Sequence, residues 1–119
     1  MLLRKYLDVQ NIDYMDGVKK RLVFGPRDGT PNYIMRVYEI APGAKIGPHT
    51  HYWEHVGIVL AGEGVLIGEN GEAKAAVGDA YFIVPNEMHC FMNKGTEVLR
   101  LLCTAPLCAY IASADPSGK

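Results

Sequence analysis

Gly47-Pro48-His49-Thr50-His51-Tyr52-Trp53-Glu54-His55-Val56-Gly57-Ile58-Val59-Leu60 admits two backbone readings, and they lead to different proteins. Read as a helix, His51 to His55 is an H-x-x-E-H motif that brings two imidazoles together at i and i+4, as in a zinc peptidase. Read as an extended chain, His49, His51 and His55 are separated by even numbers of residues and project to one side. The flanks decide. Gly47-Pro48 stands before the histidines, Gly57 follows them, and the largely β-branched run from Val56 to Leu60 favours strand. The extended reading therefore holds, and three imidazoles share a face.

The rest of the chain keeps the same rhythm. Candidate strands run over Lys20–Phe24, Tyr33–Ile40, His55–Leu60, Val65–Gly68, Ala80–Val84, His89–Met92 and Val98–Cys103. Turn-forming pairs separate them, among them Gly25-Pro26, Pro42-Gly43, Gly78-Asp79, Pro85-Asn86 and Lys94-Gly95. Asn70-Gly71 predicts a hairpin closed by a two-residue type I′ turn, because both residues tolerate positive φ. Thirteen glycines and seven prolines disfavour helix, at about 1 and 3 kcal/mol each relative to alanine. The expected class is all-β with little helix, and short antiparallel strands hide their edges in a sandwich, jelly roll or small barrel. The 119 residues are expected to form one domain, with the small polar segment 113–119 frayed.

Composition removes several classes of function. Twelve basic against thirteen acidic residues leave a net charge of -1, which offers no footprint for nucleic acid. No apolar run approaches the roughly 20 residues that span a bilayer, and the segment from Met1 to Asp8 builds no signal-peptide core, so no membrane partner is expected. Cys90, Cys103 and Cys108 are an odd number without a C-x-x-C pair, and fit a reducing cytoplasm. Lys19-Lys20-Arg21 reads as a solvated face. Gly62-Glu63-Gly64 is followed by Ile67 where a dinucleotide fingerprint needs its third glycine. A domain of this size hides roughly two-thirds of its unfolded surface without help from a metal, so a bound metal is functional.

The chain has four histidines, and the fourth, His89, follows the turn Pro85-Asn86-Glu87-Met88 at the start of a candidate strand, where it can complete the set. Unliganded imidazoles on one face gain little and repel once protonated, so the cluster points to a metal. Neutral imidazole nitrogens suit manganese, iron, cobalt, nickel, copper or zinc, and the sequence does not choose among them. Since ligating imidazoles are neutral, acid should release the ion below about pH 6.

Gly43-x5-His49-x-His51-x3-His55-x6-Gly62 and Gly78-x5-Val84-x-Asn86-x2-His89-x3-Asn93 together resemble the two motifs of the cupin superfamily, with histidine at position 55 where the family usually has glutamate. Val84 and Asn86 replace the second motif's proline and glycine; asparagine still reaches the left-handed conformation such a turn needs. The closest resemblance is to small single-domain cupins whose metal is held by four histidines. It implies a jelly-roll β-barrel (a double-stranded β-helix), one divalent transition ion near its centre on His49, His51, His55 and His89, and frequent homodimers. It does not imply one reaction, since cupins include dioxygenases, isomerases, epimerases, lyases, decarboxylases and non-catalytic binding proteins.

Four neutral ligands leave the charge of a divalent ion uncompensated, which favours a small anionic ligand, and on an octahedral ion they leave two positions open. Regular alternation points Glu54 away from the ion, either into solvent or against a neighbouring imidazole. Cys103, Phe91 and Met35 are expected to line the pocket, Cys90 to face away from His89, and Tyr52 and Trp53 to rim the entrance or enter a dimer contact. The expected activity is a metal-dependent oxidoreductase of dioxygenase type acting on a small organic anion. Redox-neutral isomerisation or elimination on a sugar acid or related carboxylate is the alternative, and a non-catalytic binding or sensing module a third.

Overall fold

Alternation of inward and outward residues becomes ten strands in the computed structural model, which describes residues 1–112, the side chains of 111 and 112 excepted. The tail expected to fray, 113–119, lies outside the described residues. One antiparallel sheet has the order β1 (Ile12–Met15), β2 (Val18–Phe24), β3 (Tyr33–Ile40), β10 (Leu99–Pro106), β5 (His55–Ala61) and β8 (Ala80–Ile83). The other has the order β4 (Lys45–His49), β9 (His89–Met92), β6 (Glu63–Gly68) and β7 (Gly71–Ala76). A short helix, α1 (Leu107–Ala112), follows the last strand. This is the jelly-roll architecture expected from the sequence, with little helix, and no helix among the described residues is long and apolar enough to cross a membrane.

Burial follows the pleat. Along β10, Leu99, Leu101, Cys103 and Ala105 are 2% exposed or less, while Arg100, Leu102 and Thr104 between them are only half-buried. Leu99, Leu101 and Cys103 pack with Val18, Tyr38, Ile40, Ile46, Val59, Ile83 and Phe91 between the sheets. Each fully buried side chain of the aliphatic set contributes about 1.5–3 kcal/mol. A second cluster, Leu22, Ile34, Trp53, Ala105 and Ala109, closes the end under α1. The cavity described below lies where these clusters meet, with Cys103 from one and Trp53 from the other on its wall.

Three strands were not expected, for a shared reason. β1, β4 and β7 are all sheet edges, so pairing on one side suffices to form them despite weak strand character. β4 contains Gly47-Pro48, tolerated because its register with β9 slips between Ile46 and His49. The hairpin between β6 and β7 is present, but Glu69-Asn70 forms its tip and positive φ falls on Gly71 alone, so the type I′ turn at Asn70-Gly71 is not formed. The solvated face expected over residues 19–21 holds for exposed Lys19 and is corrected for the other two. Lys20 is 2% exposed with its ammonium over the Tyr14 ring, and Arg21 pairs with Glu39 at 2.7 Å. Arg21 also donates to the Val9 carbonyl and Asn11 to Glu39, so the amino-terminal segment covers this outer face of the sheet.

Asn93 fastens the ends of strands on both sides of the roll. Its amide donates to the carbonyls of Ile40 and Glu97, each at 2.8 Å, its side-chain oxygen accepts from Gly95, and its backbone bonds Gly43 and Ala44. It is 1% exposed. Removing the amide strands a buried carbonyl, and Asn93→Ala should cost about 2–4 kcal/mol, read as a lower urea midpoint with unchanged slope.

Candidate metal centre

His49 closes β4, His89 opens β9 directly opposite it, His51 lies in the connection that follows, and His55 opens β5 in the other sheet. Both sheets thus deliver imidazoles to one cavity of about 30 Å³, lined by all four histidines together with Tyr14, Arg36, Tyr38, Ile46, Trp53, Phe91 and Cys103. Ring centroids are 4.3 Å apart for His49 and His51, 4.6 Å for His49 and His89, and 5.3 Å for His55 to both His51 and His89. One ligating atom from each of His49, His51 and His89 lies within 4.8 Å of the other two; His55 stands a little further back on the same cavity.

Local backbone chemistry holds this arrangement. Gly47 has φ +92°, and a Cβ there would sit 2.7 Å from the His89 carbonyl oxygen, so only glycine lets β4 approach β9 closely enough to set the two histidines opposite each other. Asn86 takes φ +70°, the left-handed turn anticipated for it, and its N–H donates to the His51 carbonyl at 2.6 Å, tying the turn before His89 to the loop that carries His51.

The hydrogen bonds prepare the rings for ligation. His89 Nδ1 lies 2.8 Å from the Glu87 carbonyl oxygen, which only accepts, so Nδ1 carries the proton and the Nε2 lone pair is left free. Nε2 of His89 and Nε2 of His55 are buried with no hydrogen-bond partner. Two orphaned nitrogens on the wall of one polar cavity fit an ion, because leaving them unmet is costly. On its other side, His55 Nδ1 lies 3.3 Å from Cys103 Sγ. An imidazole-rich donor set of this kind suits a divalent transition ion.

Electrostatics keep the rings in their ligating form. Burial, the neighbouring imidazoles and the Arg36 guanidinium push His49 down to about 4; burial, His89 and Arg36 do the same for His51. Burial, Arg36 and the other three histidines push His55 down to about 3. All three are neutral well below the ordinary imidazole range near 6.5. Because folding lowers these values, the unfolded chain takes up protons first as pH falls. Stability from this source is whole above about 6.5 and is lost progressively toward pH 4 and 3. The melting temperature of metal-free protein should therefore fall from pH 7 to 4, more steeply than in His55→Gln. Lowered values at His49, His51 and His55 shift the release of an ion by acid, expected from ordinary imidazoles below about pH 6, in the downward direction.

The other expected site residues divide. Cys103 and Phe91 line the cavity, and Cys90 does not. Met35 is a correction: Arg36 and Tyr38 face the cavity from β3, and Met35 is not on its wall. The period was right and the phase wrong, because β3 lies between β2 and β10 with both faces covered, and charge does not mark its outer side. Glu54 is exposed, and no hydrogen bond joins it to an imidazole among the described residues, which leaves the solvated disposition of the two expected. Tyr52 is 62% exposed, but Trp53 is 7% exposed, inside rather than at a rim, with its ring stacked on His51 at 4.4 Å and 8°. Arg36 and Tyr38 were missed as site residues, and the run from Tyr33 to Ile40 carries no signal for them, since its charged residues fall on both faces, Arg36 on one and Glu39 on the other.

A family profile described as a cupin domain matches residues 36–105. Among solved structures, the polyketide cyclase RemF from Streptomyces resistomycificus superposes with a TM-score of 0.84 at 26% identity, covering 90% of this chain and 80% of that one. A sugar phosphate isomerase of the cupin superfamily from Silicibacter pomeroyi gives 0.75 at 21% identity, over 86% of this chain and 73% of that one. A protein from Thermotoga maritima described as a predicted oxalate decarboxylase gives 0.77 at 21% identity, over 89% and 99%. No curated protein matches the chain.

Proposed function

The chain belongs to the cupin domain family, and on that premise we propose that it is a small metal-dependent enzyme of oxidoreductase, dioxygenase-like type, acting on a small organic anion. The observation that carries the reading is the pair of buried, unpartnered Nε2 atoms of His55 and His89 on the wall of one cavity. His49, His51, His55 and His89 would hold one divalent ion, whether manganese, iron, zinc, nickel, cobalt or copper. When bound, such an ion supplies Lewis acidity and, if redox-active, one-electron chemistry.

The chain's own residues do the rest. Glu87 holds the His89 ring through Nδ1, and Cys103 stands against Nδ1 of His55. Phe91, Ile46 and Trp53 give the cavity an apolar wall, which strengthens attraction between the cationic site and an anion. Imidazole ligands bring no negative charge to an ion and Arg36 adds a positive one, so anionic ligands are favoured over neutral ones. The experiment is to load metal-free protein with iron(II) or manganese(II) and to measure oxygen uptake with diketones, thiols and phenols. Uptake that depends on the metal and on the histidines supports the reading, and its absence with every candidate overturns it.

A redox-neutral reading draws on the activities named for the similar structures, a cyclase, an isomerase and a decarboxylase. It requires turnover of a sugar acid or related carboxylate with zinc in place of iron, and no oxygen uptake. Stabilisation by a ligand without turnover would instead mark a binding or sensing module. The proposal includes a homodimer, which sedimentation velocity reads directly.

A further inference from the structure

Five arginines occur in the chain, and four of them, Arg4, Arg21, Arg27 and Arg100, pair with Asp28 or Glu39. The exception is Arg36. It is 5% exposed, no carboxylate pairs with it among the described residues, and its Nε is buried without a hydrogen-bond partner. Its contacts are soft ones, the Cys103 sulfur at 4.0 Å from Nη2 and the face of the Tyr38 ring at 5.4 Å. A guanidinium taken out of water needs an anion or a dense set of acceptors, and the described residues provide neither.

The missing partner has a place to sit. Arg36 is on the wall of the same cavity as the four histidines. We infer that Arg36 is a specificity-determining residue that binds a carboxylate of the ligand entering this cavity. The inference deepens the proposed function and rests on it. The planar fork of a guanidinium matches the two oxygens of a carboxylate, and a cavity of about 30 Å³ admits such a head group beside an ion rather than a whole organic molecule. A tetrahedral phosphate is bulkier and lacks the planar match. The substrate class assigned is therefore a carboxylic acid whose carboxylate lies at the His-rich end of the cavity and whose remainder extends out of it.

The test uses malonate as probe, with acetamide and inorganic phosphate as controls, in calorimetric titrations at pH 7 of metal-free and zinc-loaded protein. The native chain is expected to bind malonate, to ignore acetamide and to bind phosphate more weakly. Arg36→Gln should lose about tenfold or more in malonate affinity, and Arg36→Lys, which keeps the charge without the fork, should lose most of that. Zinc content and melting temperature are measured on each variant. If Arg36→Gln fails to fold, Arg36→Lys carries the comparison.

Malonate affinity unchanged in a folded variant overturns the inference, as does absence of malonate binding to the native chain or equal affinity for phosphate. Retained zinc with Arg36-independent malonate binding sinks the inference and spares the proposed function. Arg36-dependent binding by a protein that retains no metal spares the inference and sinks the proposed function.

Discussion

His89→Ala should bind a divalent ion more than about 100-fold more weakly than the native chain, beyond what loss of an outer hydrogen-bonding partner costs. His89 is 4% exposed, its Nδ1 proton is fixed by the Glu87 carbonyl, and its Nε2 has nothing else to meet. Its ring centroid lies 4.6, 5.4 and 5.3 Å from those of His49, His51 and His55, so it faces all three. Elemental analysis of untagged protein after dialysis checks this, alongside alanine variants of the other three. His49 and His51 should behave like His89. His55, outside the tightest group of ligating atoms, is the informative variant: native metal content in His55→Ala would reduce the ligand set to three.

The second large effect concerns Gly57, two residues beyond His55 on β5. It pairs with Cys103 on β10 and Tyr81 on β8, and a Cβ built there would overlap the Leu102 carbonyl oxygen and the Tyr81 phenol ring. Tyr81 lies across the glycine to donate to that same carbonyl at 2.9 Å. A side chain can swing aside, but the backbone oxygen belongs to a strand paired on both sides. Gly57→Ala is therefore expected to destabilise by more than about 4 kcal/mol, in the range reserved for steric failure in a core. Denaturant titration reads the loss. The double variant Gly57→Ala with Tyr81→Ala separates the two contacts: it should remain as unstable as the single one, because the carbonyl stays, and recovery of most of the loss would assign the strain to the ring.

Much of the fold was legible because central strands are written in residues that favour them. β3 over Tyr33–Ile40 and β9 over His89–Met92 begin and end where alternation and turn residues place them. Of the four edge strands only β8, written in Tyr81, Phe82 and Ile83, was legible; β7, with sequence GEAKAA, owes its form to its partner β6 rather than to its own side chains. His49, His51 and His55 were legible through parity, a property that survives the bend between His51 and His55, and His89 through its place after the turn Pro85-Asn86-Glu87-Met88. The wall opposite them was not. Arg36 and Tyr38 face inward on a strand covered on both sides, where a charged residue carries no information about which side is solvent, and only the packing of the amino-terminal segment over Glu39 and Arg21 reveals it. Lys20 misled in the same way, its ammonium resting on the Tyr14 ring.

The chain's one tryptophan is the residue laid flat on His51. An ion seated on that imidazole draws electron density from the ring the indole rests on, so ultraviolet-excited emission from Trp53 becomes an intrinsic gauge of occupancy. Open-shell ions should quench it strongly and closed-shell zinc only weakly, which gives the site a spectroscopic signature that needs neither substrate nor added dye.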